Sequence, residues 1–371
     1  MSINIKTLWL PLILASWVAC KSNDHKQTGD EASKSRQVNE LLPLKPDHIT
    51  ESVVYDTDDP AIWLNPEDIN KSLIIGTDKE EGGGVYAFDL FGKMVNKVTG
   101  LKRPNNVDVA YRLPYKEGKL DIAVFTERKA NTIRVYSLPD LKPVDNGGIP
   151  VFEGETCEAC RDAMGIALYT PSDGKIYAIV GRKNGTDGTY LWQYVLKAGN
   201  DGIVKAELVR KFGKYSGKKE IEAIAVDNEL GYVYYSDEQV GVRKYYADPS
   251  KGNDELALFA TDGFTEDHEG ISIYKRQDGT GYILVSNQSD SSFMIYPRAG
   301  GDADPHQHEL ITKIKVSTTQ SDGSDVTSTP IGNMFPYGFF VAMSEGKVFQ
   351  IYDWRYFQER IDKAARDKQA R

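Results

Sequence analysis

Apolar residues along this chain come in short runs closed by polar residues, and the runs recur as sets of three. The third run of each set is a seven-residue aromatic segment: GVYAFDL from residue 84, TIRVYSL from 132, YLWQYVL from 190, GVRKYYA from 241, SFMIYPR from 292 and VFQIYDW from 348. Their fifth positions, Phe88, Tyr136, Tyr194, Tyr245, Tyr296 and Tyr352, are separated by 48, 58, 51, 51 and 56 residues. Each follows a second apolar run ending in polar residues (LIIGTDK, IAVFTER, YAIVGRK, YVYYSDE, YILVSNQ, FFVAMSE). Before those stand shorter runs, PAIWL, DVAY, GIALY, AIAVD and GISIY, with the sixth copy near SDVTS at 324–328. Turn-forming SDGK, DNELG and QDGTG separate the runs, so each is too short for a helix and reads as a strand. A repeat of roughly 50 residues with three visible strands and room for a fourth is the signature of propeller blades. The pattern predicts an all-β, six-bladed β-propeller over 46–358, with helical periodicity confined to a C-terminal tail at 359–371.

The first residues follow a different pattern. MSINIK carries one lysine, TLWLPLILASWVA is apolar, and Cys20 follows directly. This reads as a signal peptide over 1–19 with Cys20 as a lipidated first residue, and otherwise as plain secretion or an uncleaved anchor. Residues 20–45 are polar and poor in aromatics, the composition of a flexible tether. The expectation is an exported protein, lipid-anchored in a bacterial membrane on its periplasmic or cell-surface side, and monomeric because a lone propeller is self-sufficient. A net charge of −9 over 371 residues argues against nucleic acid as a partner. The remaining cysteines lie in CEAC, as Cys157 and Cys160. Zinc would need further ligands at suitable spacing, a redox pair would need a βαβ setting, and export permits a small disulfide staple.

In a propeller the innermost strands begin near the central axis, so equivalent positions from all blades converge there. Ahead of the first strands the repeats offer Asp58 and Asp59, then Asn105, Asn106 and Asp108, then Met164, Glu222, Glu269 and Asp325. Asp56 lies outside the aligned position. A ring of oxygen donors with only five histidines in the chain suits a hard cation, and Ca²⁺ above all. The twelve residues from Asp56 to Glu67 are not an EF-hand loop, because Ala61 stands where the turn glycine is required. The second strands end in Lys79, Arg128 and Lys183 in blades one to three, and in Glu238, Gln288 and Glu345 in blades four to six. A basic half beside bound cations suits an anionic, phosphate-bearing ligand.

The segments DDPAIW, NNVD, TER…NTIRVY, EAIAVD…YYSDE and HEGISIY…GTGYILVSNQSDSSFMIY, in that order over about 50–358, resemble the β-propeller phytases. The resemblance implies a 3-phytase-like, calcium-dependent phosphomonoesterase that releases phosphate from phytate (myo-inositol hexakisphosphate) or its calcium salt. It further implies that Asp58, Asp59, Asn106, Asp108, Glu222, Glu238 and Glu269 are calcium and active-site acids. Lys79, Arg128 and Lys183 fall on phosphate-binding bases, with Arg182 as a neighbour able to substitute for Lys183. Asp58, Glu222, Lys79 and Arg128 are the expected catalytic set, and a calcium-bound water the expected nucleophile. No Arg-His-Gly triplet or Cys-x5-Arg loop, the marks of covalent phosphatases, occurs in the chain. Three positions depart from the family pattern: Met164 replaces a tyrosine, Gln320 an aspartate and Ala110 an arginine. The alternatives are another calcium-dependent propeller hydrolase, of lactonase or phosphotriesterase type, and a non-catalytic cell-surface binding propeller. A single-ion hydrolase needs no basic half-ring, whereas Met164 and Gln320, standing where the family has a tyrosine and an aspartate, would favour a binding role.

Overall fold

In a computed structural model, residues 42–370 are described, and the unit from Pro43 onward is compact. The readings of a signal peptide, of lipidation at Cys20 and of most of the tether lie outside the described residues. Those residues contain six four-stranded antiparallel sheets. Inner strands run over Thr57–Trp63, Pro104–Tyr115, Ala163–Tyr169, Ile224–Asp227, His268–Lys275 and Ser324–Thr327. Each contacts the next round a closed ring, Thr57–Trp63 touching both Pro104–Tyr115 and Ser324–Thr327. This is the six-bladed β-propeller expected from the repeat.

Successive side chains of a strand point to opposite faces of its sheet, and here both faces are buried. In blade one, Ile62, Ile74, Tyr86 and Phe88 pack against blade six, whereas Ala61, Trp63, Ile75 and Val85 pack against blade two. The same division produces apolar layers between every neighbouring pair of blades. It explains why the strands read as nearly continuous apolar runs rather than as half-polar alternations.

The sixth blade is built from both ends of the domain. Its outermost strand is His48–Ile49, paired with Val348–Asp353 through His48↔Ile351 and Ile49↔Gln350. Asp47 N–H donates to the Ile351 carbonyl (2.8 Å), and Asp353 N–H returns a bond to the Asp47 carboxylate (2.8 Å). Ring closure thus joins residues about 300 positions apart, a contact that local pattern does not encode. The C-terminal helix spans Trp354–Gln369 and starts before residue 359 because Asp353 caps it, accepting from Arg355 N–H (2.8 Å). It is docked on the propeller, burying Trp354, Phe357 and Ile361 against blades five and six, with Trp354 stacked on Tyr274 at 3.7 Å.

Candidate active site

Four inner strands carry a β-bulge near their start. Register shifts fall between Thr57 and Pro60, Pro104 and Val107, Ala163 and Ile166, and His268 and Ile271. A bulge sets two residues against one, so adjacent side chains no longer alternate cleanly across the sheet. In blade one the bulged pair is Asp58 and Asp59, and Pro60, which follows, has no N–H to place in the ladder. Pro60, Val107, Ile166, Ile224, Ile271 and Ser324 face equivalent second-strand residues. Two positions earlier stand Asp58, Asn105, Met164, Glu222, Glu269 and Asp322. The ring position of blade six therefore belongs to Asp322, not to Asp325, which lies three residues further along its strand. The acid–Gly pairs Glu269-Gly270 and Asp322-Gly323 were the available signal.

This ring forms the upper layer of the site. Asn105 Nδ2 ties two acids together, donating to Asp58 Oδ2 (2.9 Å) and Glu222 Oε1 (2.6 Å). Carboxylate oxygens of Glu222, Glu238 and Glu269 all lie within 4.8 Å of one another. Glu238 is 1% exposed, and among the described residues neither of its carboxylate oxygens has a hydrogen bond; the same holds for Asp58 Oδ1. Burial, with Asp58, Glu269 and Asp322 beside it, holds the Glu222 carboxyl well above the usual range. Burial and the Glu222 charge push Glu238 up to about 8. Burial and Glu238 likewise raise Glu269, and burial lifts Asp322 to about 6 against the pull of Lys79. So many carboxylates crowded away from bulk water are neutralised either by protons or by a cation.

A second layer lies further along the inner strands, in a channel cavity of about 230 Å³ lined by Asp59, Asn106, Asp108, Lys275 and Asp325 among others. Here the acids also bind backbone of neighbouring blades. Asp59 Oδ2 accepts from Val107 N–H (3.1 Å), Asp108 Oδ2 from Leu168 N–H (2.7 Å) and Asp325 Oδ2 from Ile62 N–H (2.8 Å). These bonds stitch blade one to two, two to three and six to one. Burial raises Asp108 to about 7 and Asp325 to about 6, and burial together with Asp58 raises Asp59 well above the usual range.

The bases meet acids rather than open solvent. Lys79 Nζ lies 3.2 Å from Asp58 Oδ1 and 3.7 Å from Asp56 Oδ2, and it also bonds Asp322. Burial opposes its charge, but Asp58 and Asp322 outweigh that and raise its pKa. Asp56, set apart by the repeat alignment, thus reaches the same lysine. Arg128 Nε is 3.3 Å from Asp162 Oδ2, and Lys183 Nζ is 2.9 Å from Glu220 Oε1. Arg182 does not join them. It is fully buried, and its guanidinium donates to the Tyr190, Cys160 and Thr189 carbonyls and pairs with Glu155 at 2.9 Å. Strand alternation sends it to the opposite face from Lys183, so the expected substitution does not hold. Cys157 and Cys160 form a disulfide in the loop that supplies Asp162. Lys219, on the loop before blade four, carried no sequence signal, yet its Nζ lies 3.2 Å from Glu238 Oε2 and bonds Asp267.

A propeller whose axis gathers buried carboxylates, with Lys79 among them and Arg128 and Lys183 at the equivalent strand ends, has donors suited to a hard cation and charges suited to an anionic ligand. The phytase family profile matches residues 6–354, and the chain belongs to that family, whose members are phosphatases that hydrolyse phytate. It is 30% identical over 323 residues to the 3-phytase of Bacillus subtilis (strain 168), covering 82% of this chain and 81% of that protein. The β-propeller domain of Cps50 (Swd1) from Myceliophteria thermophila superposes with a TM-score of 0.49 at 10% identity, over 80% of this chain and 83% of that one.

Proposed function

We propose that this phytase-family enzyme is a calcium-dependent phosphomonoesterase that removes phosphate from phytate or its calcium salt. The observation that carries the reading is Glu238: a buried carboxylate met, among the described residues, only by the Lys219 ammonium at Oε2, and within 4.8 Å of Glu222 and Glu269. An all-oxygen donor set of this kind fits Ca²⁺ and not a thiolate- or imidazole-seeking metal. Glu222, Glu238 and Glu269 would hold one ion, with Asp58 and Asp322 at the adjoining end of the ring and Asp59, Asn106, Asp108 and Asp325 facing the channel. When bound, calcium supplies positive charge against phosphoryl oxygens and lowers the pKa of a coordinated water.

The chain's own residues do the rest. Lys79 and Arg128 exchange their carboxylate partners for the oxygens of the reacting phosphate and offset its developing charge. Lys183, half-exposed beside Glu220, receives a neighbouring phosphate of the same ring and so fixes the orientation of the first. Asn105 holds Asp58 and Glu222 at a set spacing, which positions the acids that orient the attacking water. The oxygen of the attacking water bonds to phosphorus as the P–O bond to the inositol breaks, and the proton that this water gives up ends on the leaving oxygen, so inorganic phosphate and an inositol hydroxyl are released. Export and anchoring through Cys20, and action as a monomer, complete the proposal.

Phosphate release from phytate, measured in calcium and after chelation, tests it. Activity is expected to vanish in excess chelator and return with calcium; full activity in chelator would refute the metal-dependent reading.

A further inference from the structure

The acid triad already has a cation at its edge. Lys219 Nζ lies 3.2 Å from Glu238 Oε2 and 4.0 Å from Glu269 Oε1, and it hydrogen-bonds Asp267. Its backbone is fixed independently of the acids. The Tyr215 hydroxyl donates to the Lys219 carbonyl, and Ser216 is held by Asp237 through its N–H (3.0 Å) and its hydroxyl (2.7 Å). The side chain is about a third exposed, so the ammonium has a route to solvent without loop rearrangement. Glu238 is compensated by this single ammonium at one of its oxygens, a poor substitute for the several short oxygen contacts of a hard dication.

We propose that Lys219 is a tethered placeholder: its ammonium offsets negative charge at Glu238 and Glu269 while no metal is bound, and a divalent cation must displace it to enter the site these acids share with Glu222. Two cations a few ångströms apart repel, so occupancy by the ammonium and by the metal are mutually exclusive. The lysine keeps the metal-free propeller folded and raises the calcium concentration at which the site fills. Metal loading becomes a threshold set by the chain itself. The inference rests on the reading that the triad holds calcium.

Two measurements on the full metal-stripped chain test it. Calcium titration by calorimetry compares wild type with Lys219→Met and Lys219→Arg. Lys219→Met is expected to bind calcium about tenfold more tightly and to melt at a lower temperature without metal, and Lys219→Arg to stay close to wild type. Wild-type or weaker affinity in Lys219→Met overturns the placeholder. The second measurement uses wild type alone, so it does not depend on a variant folding: acetylation of Lys219, read by mass spectrometry, is expected to speed up when calcium is added. Unchanged or slower labelling, in a protein that does bind calcium, overturns this inference and leaves the site assignment standing. A wild-type chain that binds no calcium takes both down.

Discussion

Gly165 offers a direct way to move the Glu222 carboxylate, proposed above to be catalytic, without touching it. A methyl group there would lie 1.7 Å from the Glu222 carbonyl oxygen, 2.8 Å from its carbonyl carbon and 3.2 Å from Ile224 Cγ1. The obstacle is backbone of the adjacent blade, which has no rotamer to change. In Gly165→Ala the Glu222 main chain must retreat by about 1.5 Å before the contact becomes an ordinary one. Overpacking of this kind costs about 1–3 kcal/mol of stability. Because the displaced residue carries its own side chain with it, the Asn105 bridge of 2.6 Å and the spacing to Glu238 and Glu269 are lost together. Displacement of a reacting group by about 1 Å is worth about 100-fold in rate. The assay is phosphate release from phytate at saturating calcium, run beside circular dichroism and a thermal melt. Gly165→Ala is expected to keep its β spectrum, melt earlier and lose about 100-fold in kcat/KM. Gly118→Ala, whose new methyl meets only the Tyr115 carbonyl at 4.0 Å, serves as the quiet control. Wild-type turnover by Gly165→Ala would show that the blade three to blade four contact does not position Glu222, or that Glu222 takes no part.

Other outcomes follow from the same geometry. Glu222→Gln keeps the shape and the Asn105 bond but removes the charge, so phytate turnover is expected to fall at least about 100-fold with an unchanged melt. Lys183→Ala is expected to raise KM for phytate with little effect on melting. Arg182→Ala is expected to do the reverse, lowering the melting temperature by stranding three carbonyls and Glu155, and steady-state kinetics with calorimetry separate the two. Finally, Asp108 and Asp325 have pKa values raised by burial from 3.8 to about 7 and about 6. A raised carboxyl pKa stabilises the folded chain while pH lies below its unfolded value and loses that effect as pH climbs through the folded one. The metal-free protein is therefore expected to melt about 5 °C lower at pH 8 than at pH 5, and calcium to reverse the loss. A metal-free melting temperature that is flat or rises over that range would contradict the burial of these acids.

The sequence by itself determined the blade count, because six aromatic strands repeat at nearly even spacing and each blade must bury both faces of its sheet. It also singled out the candidate site residues: Asp58, Glu222, Glu238, Glu269, Lys79, Arg128 and Lys183 stand at repeat positions that a propeller brings to one end of its axis. Tertiary structure decided what alternation and spacing leave open. Bulges alter the parity of the inner strands, so only the ladder register distinguishes Asp322 from Asp325 as the sixth member of the ring. Parity again separates Lys183, beside Glu220, from Arg182, whose donors are consumed by loop carbonyls. The strand His48–Ile49 completes the last blade through bonds to residues about 300 positions away, and the lysine seated among the acids comes from an irregular loop with no repeat partner. Repetition is written in local sequence, since each blade obeys the same packing rule. Register, closure and charge pairing are set by contacts between blades, where one residue's place depends on a neighbour that its own segment does not contain.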